Sequence, residues 1–111
     1  MFERYTEKAR RVIFFARKEA SDFGTEAIES EHLLLALLRE GKSLLTTYQL
    51  DEAEIRAAIE KESVTSNAIP TVIDLPLSSE CKYILGFSAE EADRLRHTHI
   101  GTQHLLVGIL R

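Results

Sequence analysis

The sequence predicts an all-α fold, a duplicated helical bundle with pseudo-twofold symmetry. Three observations carry that expectation. Apolar residues recur at three- and four-residue steps, capping residues bound those stretches, and the whole pattern occurs twice. In the first stretch Ala9, Val12, Ile13, Ala16, Ala20 and Phe23 form one stripe of an amphipathic helix. Thr6 can accept a backbone N–H as its N-cap, and Gly24 suits the left-handed residue that closes a helix. A second helix starts at Ser30 and runs through Leu33-Leu34 and Leu37-Leu38 to Gly41. It is apolar over most of its circumference, which predicts the central, buried helix. A short turn of helix is expected over 43–48, and Asp51-Glu52-Ala53-Glu54 offers a capping-box-like start to a helix carrying Ile55, Ala58 and Ile59.

Residues 63–77 break the pattern. They are rich in turn formers and β-branched residues, and Pro70 and Pro76 interrupt any helix, so they read as an extended crossover. Ile69, Val72, Ile73 and Leu75 predict that it is packed down in part. Beyond it the first pattern returns at a constant spacing of 72 residues, with no gap. His32 matches His104, Leu33-Leu34 matches Leu105-Leu106, Arg39 matches Arg111, Phe15 matches Phe87 and Thr6 matches Ser78. Caps and core positions stay in step, so the chain reads as one domain made by internal duplication. Repeat one spans about 2–62, the crossover 63–77 and repeat two about 78–111. The first copy continues for about two helices past Arg39, whereas the second stops at Arg111, so repeat two is read as truncated, with an apolar edge left for a partner to cover.

Composition narrows the function classes. A net charge of −4 and a pI near 5.6 provide no basic footprint for nucleic acid and argue against anionic membranes. The longest apolar run, 33–38, falls far short of a membrane span, and the charged start does not resemble a signal peptide. One cysteine, Cys81, cannot form an internal disulfide, which points to a reducing compartment, the cytoplasm. Neither phosphate-binding glycine-loop motif is present, so neither ATP hydrolysis nor any cofactor is expected of this chain.

The residues that could suggest catalysis or metal binding have simpler structural readings. Cys81 shares a stripe with Leu77, Ile84, Leu85 and Ser88, and its repeat mate is Ala9, so it reads as a small core residue and not as a nucleophile. His97, His99 and His104 correspond to Thr25, Ala27 and His32 in the first copy, and no carboxylate or cysteine completes a metal set. His32 and His104 read as structural residues tying a helix start to a neighbouring loop. Lys8, Arg10, Arg11, Arg17 and Lys18 read as a solvated helix face. The chain is therefore expected to bind and not to catalyse.

The run Ile28-Glu29-Ser30-Glu31-His32-Leu33-Leu34-Leu35-Ala36-Leu37-Leu38-Arg39-Glu40, its echo over 100–111, and the opening Phe2-Glu3-Arg4-Tyr5-Thr6-Glu7-Lys8-Ala9-Arg10 resemble the Clp N-terminal repeat family, ClpC type. The family signature is a doubled Gly-Thr-Glu-His-hydrophobic run. The resemblance implies a bundle of about eight short helices, of which this chain would hold about six. It also implies a module ahead of AAA+ ATPase rings that docks substrate and adaptor proteins. The alternative is a free-standing protein of the same fold acting in trans. ClpC-type resemblance further implies two phosphoarginine pockets, each built from a helix-capping Thr and the Glu of the Glu-His pair. Carried over repeat by repeat, these are Thr6 with Glu31, and a degenerate second pocket of Ser78 with Gln103. Exchanging a carboxylate for a neutral amide opposite a guanidinium weakens a pocket by roughly 1–2 kcal/mol, about tenfold. The bland alternatives are that Thr6 and Ser78 are plain caps and that Glu31 merely complements a helix dipole. In the first copy Glu29 stands where the signature has Gly and adds a negative charge beside the pocket.

Overall fold

Thr6 starts the fold by closing the first turn of α1 (Glu7–Phe23): its Oγ1 accepts the Ala9 N–H at 3.1 Å. Gly24 ends the helix at φ 75, a left-handed conformation in which a Cβ would be strained. The structure, a computed structural model, describes residues 2–62 and 75–111. After α1 come α2 (Ser30–Glu40), α3 (Lys42–Thr47), α4 (Glu52–Glu62), α5 (Ser79–Arg94) and α6 (Thr102–Leu110). The expected all-α class is what the described residues show. The third helix lies one residue earlier than the 43–48 expected from sequence. Most of the predicted crossover, 63–74, lies outside the described residues, and of its end Leu75 is buried.

The second repeat builds its helices with the same local devices. Ser78 Oγ accepts the Cys81 N–H at 3.1 Å, as Thr6 does for Ala9. His32 Nδ1 accepts the Glu29 N–H at 2.9 Å, and His104 Nδ1 accepts the Gly101 N–H at 2.8 Å. Each imidazole thus satisfies a backbone donor just ahead of its own helix, at a position three residues into that helix. Arg39 sits 4.1 Å over the Phe15 ring, and its mate Arg111 sits 4.7 Å over Phe87. The twin of Gly24 is Arg96, which adopts φ 59 although it has a side chain.

The two copies are joined by exchanging their ends. Thr6 N–H donates to Ile100 O at 3.0 Å and Ile100 N–H to Arg4 O at 2.9 Å. The same pair recurs with the copies interchanged: Ser78 N–H donates to Ile28 O at 2.9 Å and Ile28 N–H to Pro76 O at 2.8 Å. Both pairings run parallel. The start of each repeat is therefore held by the loop of the other, as a self-complementary twofold contact requires. Around this lock α1 packs on α2 and α5 on α6, while α2 also touches α3, α4, α5 and α6. That explains why α2 buries Leu33, Leu35, Leu37 and Leu38 on several sides at once. Glu19, itself buried, receives a two-pronged ion pair from Arg56 at 3.0 Å and 3.0 Å, which ties α4 to α1.

Candidate functional site

The exchange of ends decides which candidate residues meet. Thr6 lines a cavity of about 690 Å³ between the repeats, together with Lys8, Arg96, His97, Thr102 and Gln103. Glu31 lines a different cavity, of about 440 Å³, with Ala58, Ile59 and Glu62. The pairing expected from the sequence, Thr6 with Glu31 and Ser78 with Gln103, is thus corrected: Thr6 faces Gln103 across the repeat boundary. Ser78, bonded through its N–H to Ile28 O, lies at the loop that leads into Glu31. The physical reason is the crossed lock, which presents the first cap of one repeat to the second helix of the other.

The first cavity brings together two helix starts, whereas the second lies between the start of α2 and the later turns of α4. At the first, α1 and α6 present their first-turn N–H groups, with Thr6 and Thr102 adding hydroxyls. The far wall is the loop ahead of α6, pinned by Arg4. Its guanidinium reaches Asp93 Oδ1 at 2.8 Å, Thr98 O at 3.2 Å and His97 O at 3.3 Å. On the second side Ser78 caps α5, and Ser30 O–H donates to the Glu31 carboxylate at 3.4 Å.

The charges of the two sites are opposed. Lys8 and Arg96 face the first cavity, and neither has a carboxylate partner among the described residues. Glu7, also on its lining, is engaged by Arg11 at 3.3 Å. The second cavity carries Glu31 and Glu62 on its lining, and by sequence equivalence Lys8 corresponds to Glu80, Gly101 to Glu29 and Gln103 to Glu31. Aligning the copies at their 72-residue spacing holds this signal in plain view. It is missed when each copy is searched only for the family signature.

The histidines behave as structural groups. Because His104 Nδ1 accepts a backbone N–H, its Nε2 carries the proton and donates to His97 Nδ1 at 2.8 Å. Burial pushes the His104 pKa below its ordinary value, and the neighbouring His97 pushes it the same way. Burial likewise lowers His32, against the opposing charges of Glu31, Glu29 and Glu19. Burial raises the Cys81 thiol, leaving it a poor nucleophile at a fully buried position. Among the described residues no group of three or more His, Cys, Asp or Glu side chains is placed to hold a metal, and no helix is long and apolar enough to cross a membrane.

Comparison with known proteins agrees with this architecture. The chain is 36% identical over its whole length to the chloroplastic chaperone protein ClpC2 of Oryza sativa subsp. japonica, of which it spans 12%. It is also 36% identical over its whole length to a ClpA homolog, an ATP-dependent Clp protease ATP-binding subunit of Guillardia theta, spanning 14% of that protein. The chain therefore covers only a small part of the relatives it matches. Among solved structures, the N-terminal domain of the chaperone ClpD from Arabidopsis thaliana superposes with a TM-score of 0.81 at 25% identity, over 98% of this chain and 77% of that one. The Hsp104 N-terminal domain from Candida albicans shares the fold, with a TM-score of 0.80 at 16% identity over 98% of this chain and 75% of that one. Residues 4–111 match the Clp repeat (R) N-terminal domain, and the chain belongs to that family.

Proposed function

We propose that this domain docks substrate and adaptor proteins for a Clp-type AAA+ unfoldase, and that it reads phosphoarginine where Ser78 adjoins the loop that leads into Glu31. The chemistry is binding alone; ATP hydrolysis and unfolding belong to AAA+ modules outside these residues. One observation carries the reading. The crossed lock sets the capped start of one repeat's first helix against the loop and helix start of the other repeat, Ser78 against the segment that carries Glu31. A phosphorylated guanidinium has an anionic half suited to free N–H groups and a capping hydroxyl, and a cationic half suited to a carboxylate. Ser78 with Glu31 supplies both kinds of partner, whereas Thr6 with Gln103 supplies a neutral amide in place of the carboxylate. A cytoplasmic, reducing setting is proposed with this, on the single Cys81 buried in the core.

The test is an NMR titration of the labelled domain with free phosphoarginine. Saturable shifts at the amides of Glu31 and Cys81, weakened about tenfold or more by Glu31→Ala, are the expected result. Absence of any shift at millimolar ligand would remove phosphoarginine and leave docking of unmodified proteins. Gln103→Glu should create a second phosphoarginine response at the Thr6 amide, because it restores the missing carboxylate.

A further inference from the structure

We infer that the His97–His104 pair is an acid-sensitive latch, which loosens one of the two locks between the repeats while the other stays closed. The device does not depend on which ligand the domain docks.

The hydrogen bonds fix where the protons sit. Gly101 N–H donates to His104 Nδ1 at 2.8 Å, and His104 Nε2–H donates to His97 Nδ1 at 2.8 Å. A His97 that accepts at Nδ1 is the neutral tautomer with its proton on Nε2. Each ring nitrogen able to take up a further proton is then already an acceptor. A proton added to His97 Nδ1 sets two N–H groups face to face. One added to His104 Nδ1 turns the Gly101 N–H against another donor. The pair therefore cannot become charged without breaking a hydrogen bond of the loop ahead of α6. His97 is exposed, so it takes its proton directly from solvent.

The surroundings oppose that charge. Arg4 grips the loop by the carbonyls of His97 and Thr98, so its guanidinium stands beside any imidazolium formed there. Lys8, Arg96 and His99 stand around the adjoining cavity. The acids that face this region are already engaged: Glu91 on α5 by Arg94, Glu7 on α1 by Arg11, and Asp93 by Arg4 itself. Burial and His97 both disfavour the charged form of His104. The same loop carries Ile100, which makes both hydrogen bonds of the first lock, donating to Arg4 O and accepting from the Thr6 N–H.

The first repeat lacks the latch. The mate of His97 is Thr25, whose hydroxyl donates to Ala27 O at 2.9 Å and does not titrate. His32 has Phe23 as its ring neighbour, and the charges of Glu31, Glu29 and Glu19 favour its protonated form. A proton on His32 thus meets opposite charge, whereas one on the His97–His104 pair meets like charge. Acidification frees the start of α1 from the loop ahead of α6 and uncovers the buried Tyr5 and Ile100, while Ser78 stays bonded to Ile28.

The test is amide hydrogen exchange of the labelled domain at pH 7.5 and pH 5.5, expressed as protection factors so that the intrinsic pH dependence of exchange drops out. Between these conditions, protection at the Thr6 and Ile100 amides is expected to fall about fivefold further, or more, than at Ser78 and Ile28. His97→Asn keeps an acceptor at Oδ1 but cannot be protonated, so it should bring the two locks to the same fall while leaving protection at pH 7.5 as in the parent. An equal fall at both locks in the parent, a larger one at Ser78 and Ile28, or a His97→Asn variant that keeps the parent's difference would overturn the latch. Phosphoarginine plays no part in any of these measurements, so failure of that reading leaves this one standing.

Discussion

Ser21 is fully buried in α1, and among the described residues its hydroxyl finds no hydrogen-bond partner. Burying an unpaired hydroxyl costs about 1–3 kcal/mol. Ser21→Ala should therefore raise stability by about 1 kcal/mol, read as a higher urea midpoint with an unchanged slope. His32 and His104 set the acid limit of the domain. Both are buried and neutral, and both have pKa values lowered from 6.5 by burial first. A depressed histidine pKa means that the unfolded chain takes up the proton more readily. Their contribution is therefore complete above about pH 6.5 and is lost as pH falls below it. The expected slope is at most about 1.4 kcal/mol per pH unit for each histidine, measured by denaturation between pH 7.5 and pH 5.5. An Asn at both positions should flatten that slope, since Asn Oδ1 can still accept the backbone N–H.

At the level of helix pairs, the two repeats make the same crossing with different small residues. Gly108 lies where α6 meets α5, and a Cβ there would collide with Ser88 Oγ and come within 2.6 Å of Ile84 O. The twin pair in α1 and α2 is Ala16 with Ala36, both fully buried. Ser with Gly and Ala with Ala divide a similar volume between the two helices. Gly108→Ala should cost about 1–3 kcal/mol by overpacking. Adding Ser88→Ala should recover part of that, giving a favourable coupling in a double-mutant cycle, though the Ile84 carbonyl contact persists. Much of this level was legible in the sequence. The stripe from Ala9 to Phe23, the caps at Thr6 and Ser78, and the small residue Cys81 at the position matching Ala9 all follow from local periodicity and capping chemistry. The register of the short α3 was off by one because Lys42 carries no cap signal; its start is set by Gly41, which also ends α2.

For the molecule as a whole, the constant spacing of 72 residues predicts that two similar units pack together, but not how. A repeat spacing is a shift along the chain, and it does not say whether each cap faces its own second helix or the other copy's. The hydrogen bonds of Thr6 to Ile100 and of Ser78 to Ile28 decide that, and they depend on contacts between residues about 50 to 94 positions apart. Pairing Thr6 with Glu31 therefore failed for a topological reason, although all four residues were correctly located at helix starts. Leu35 and Leu38 are 0% exposed beneath the first repeat's helices, and Leu38→Glu should unfold the domain, as thermal melts would show. The interchanged pair of hydrogen-bonded contacts has a further meaning. A contact that maps onto itself when the copies are swapped is the contact of a symmetric homodimer, here closed into one polypeptide. Residues 2–62 made alone would carry both halves of it, Tyr5 and Ile28. They should associate in pairs at concentrations approaching the millimolar value that a covalent tether supplies, and a single chain lets the two equivalent positions of that dimer carry different charges, as Lys8 and Glu80 do.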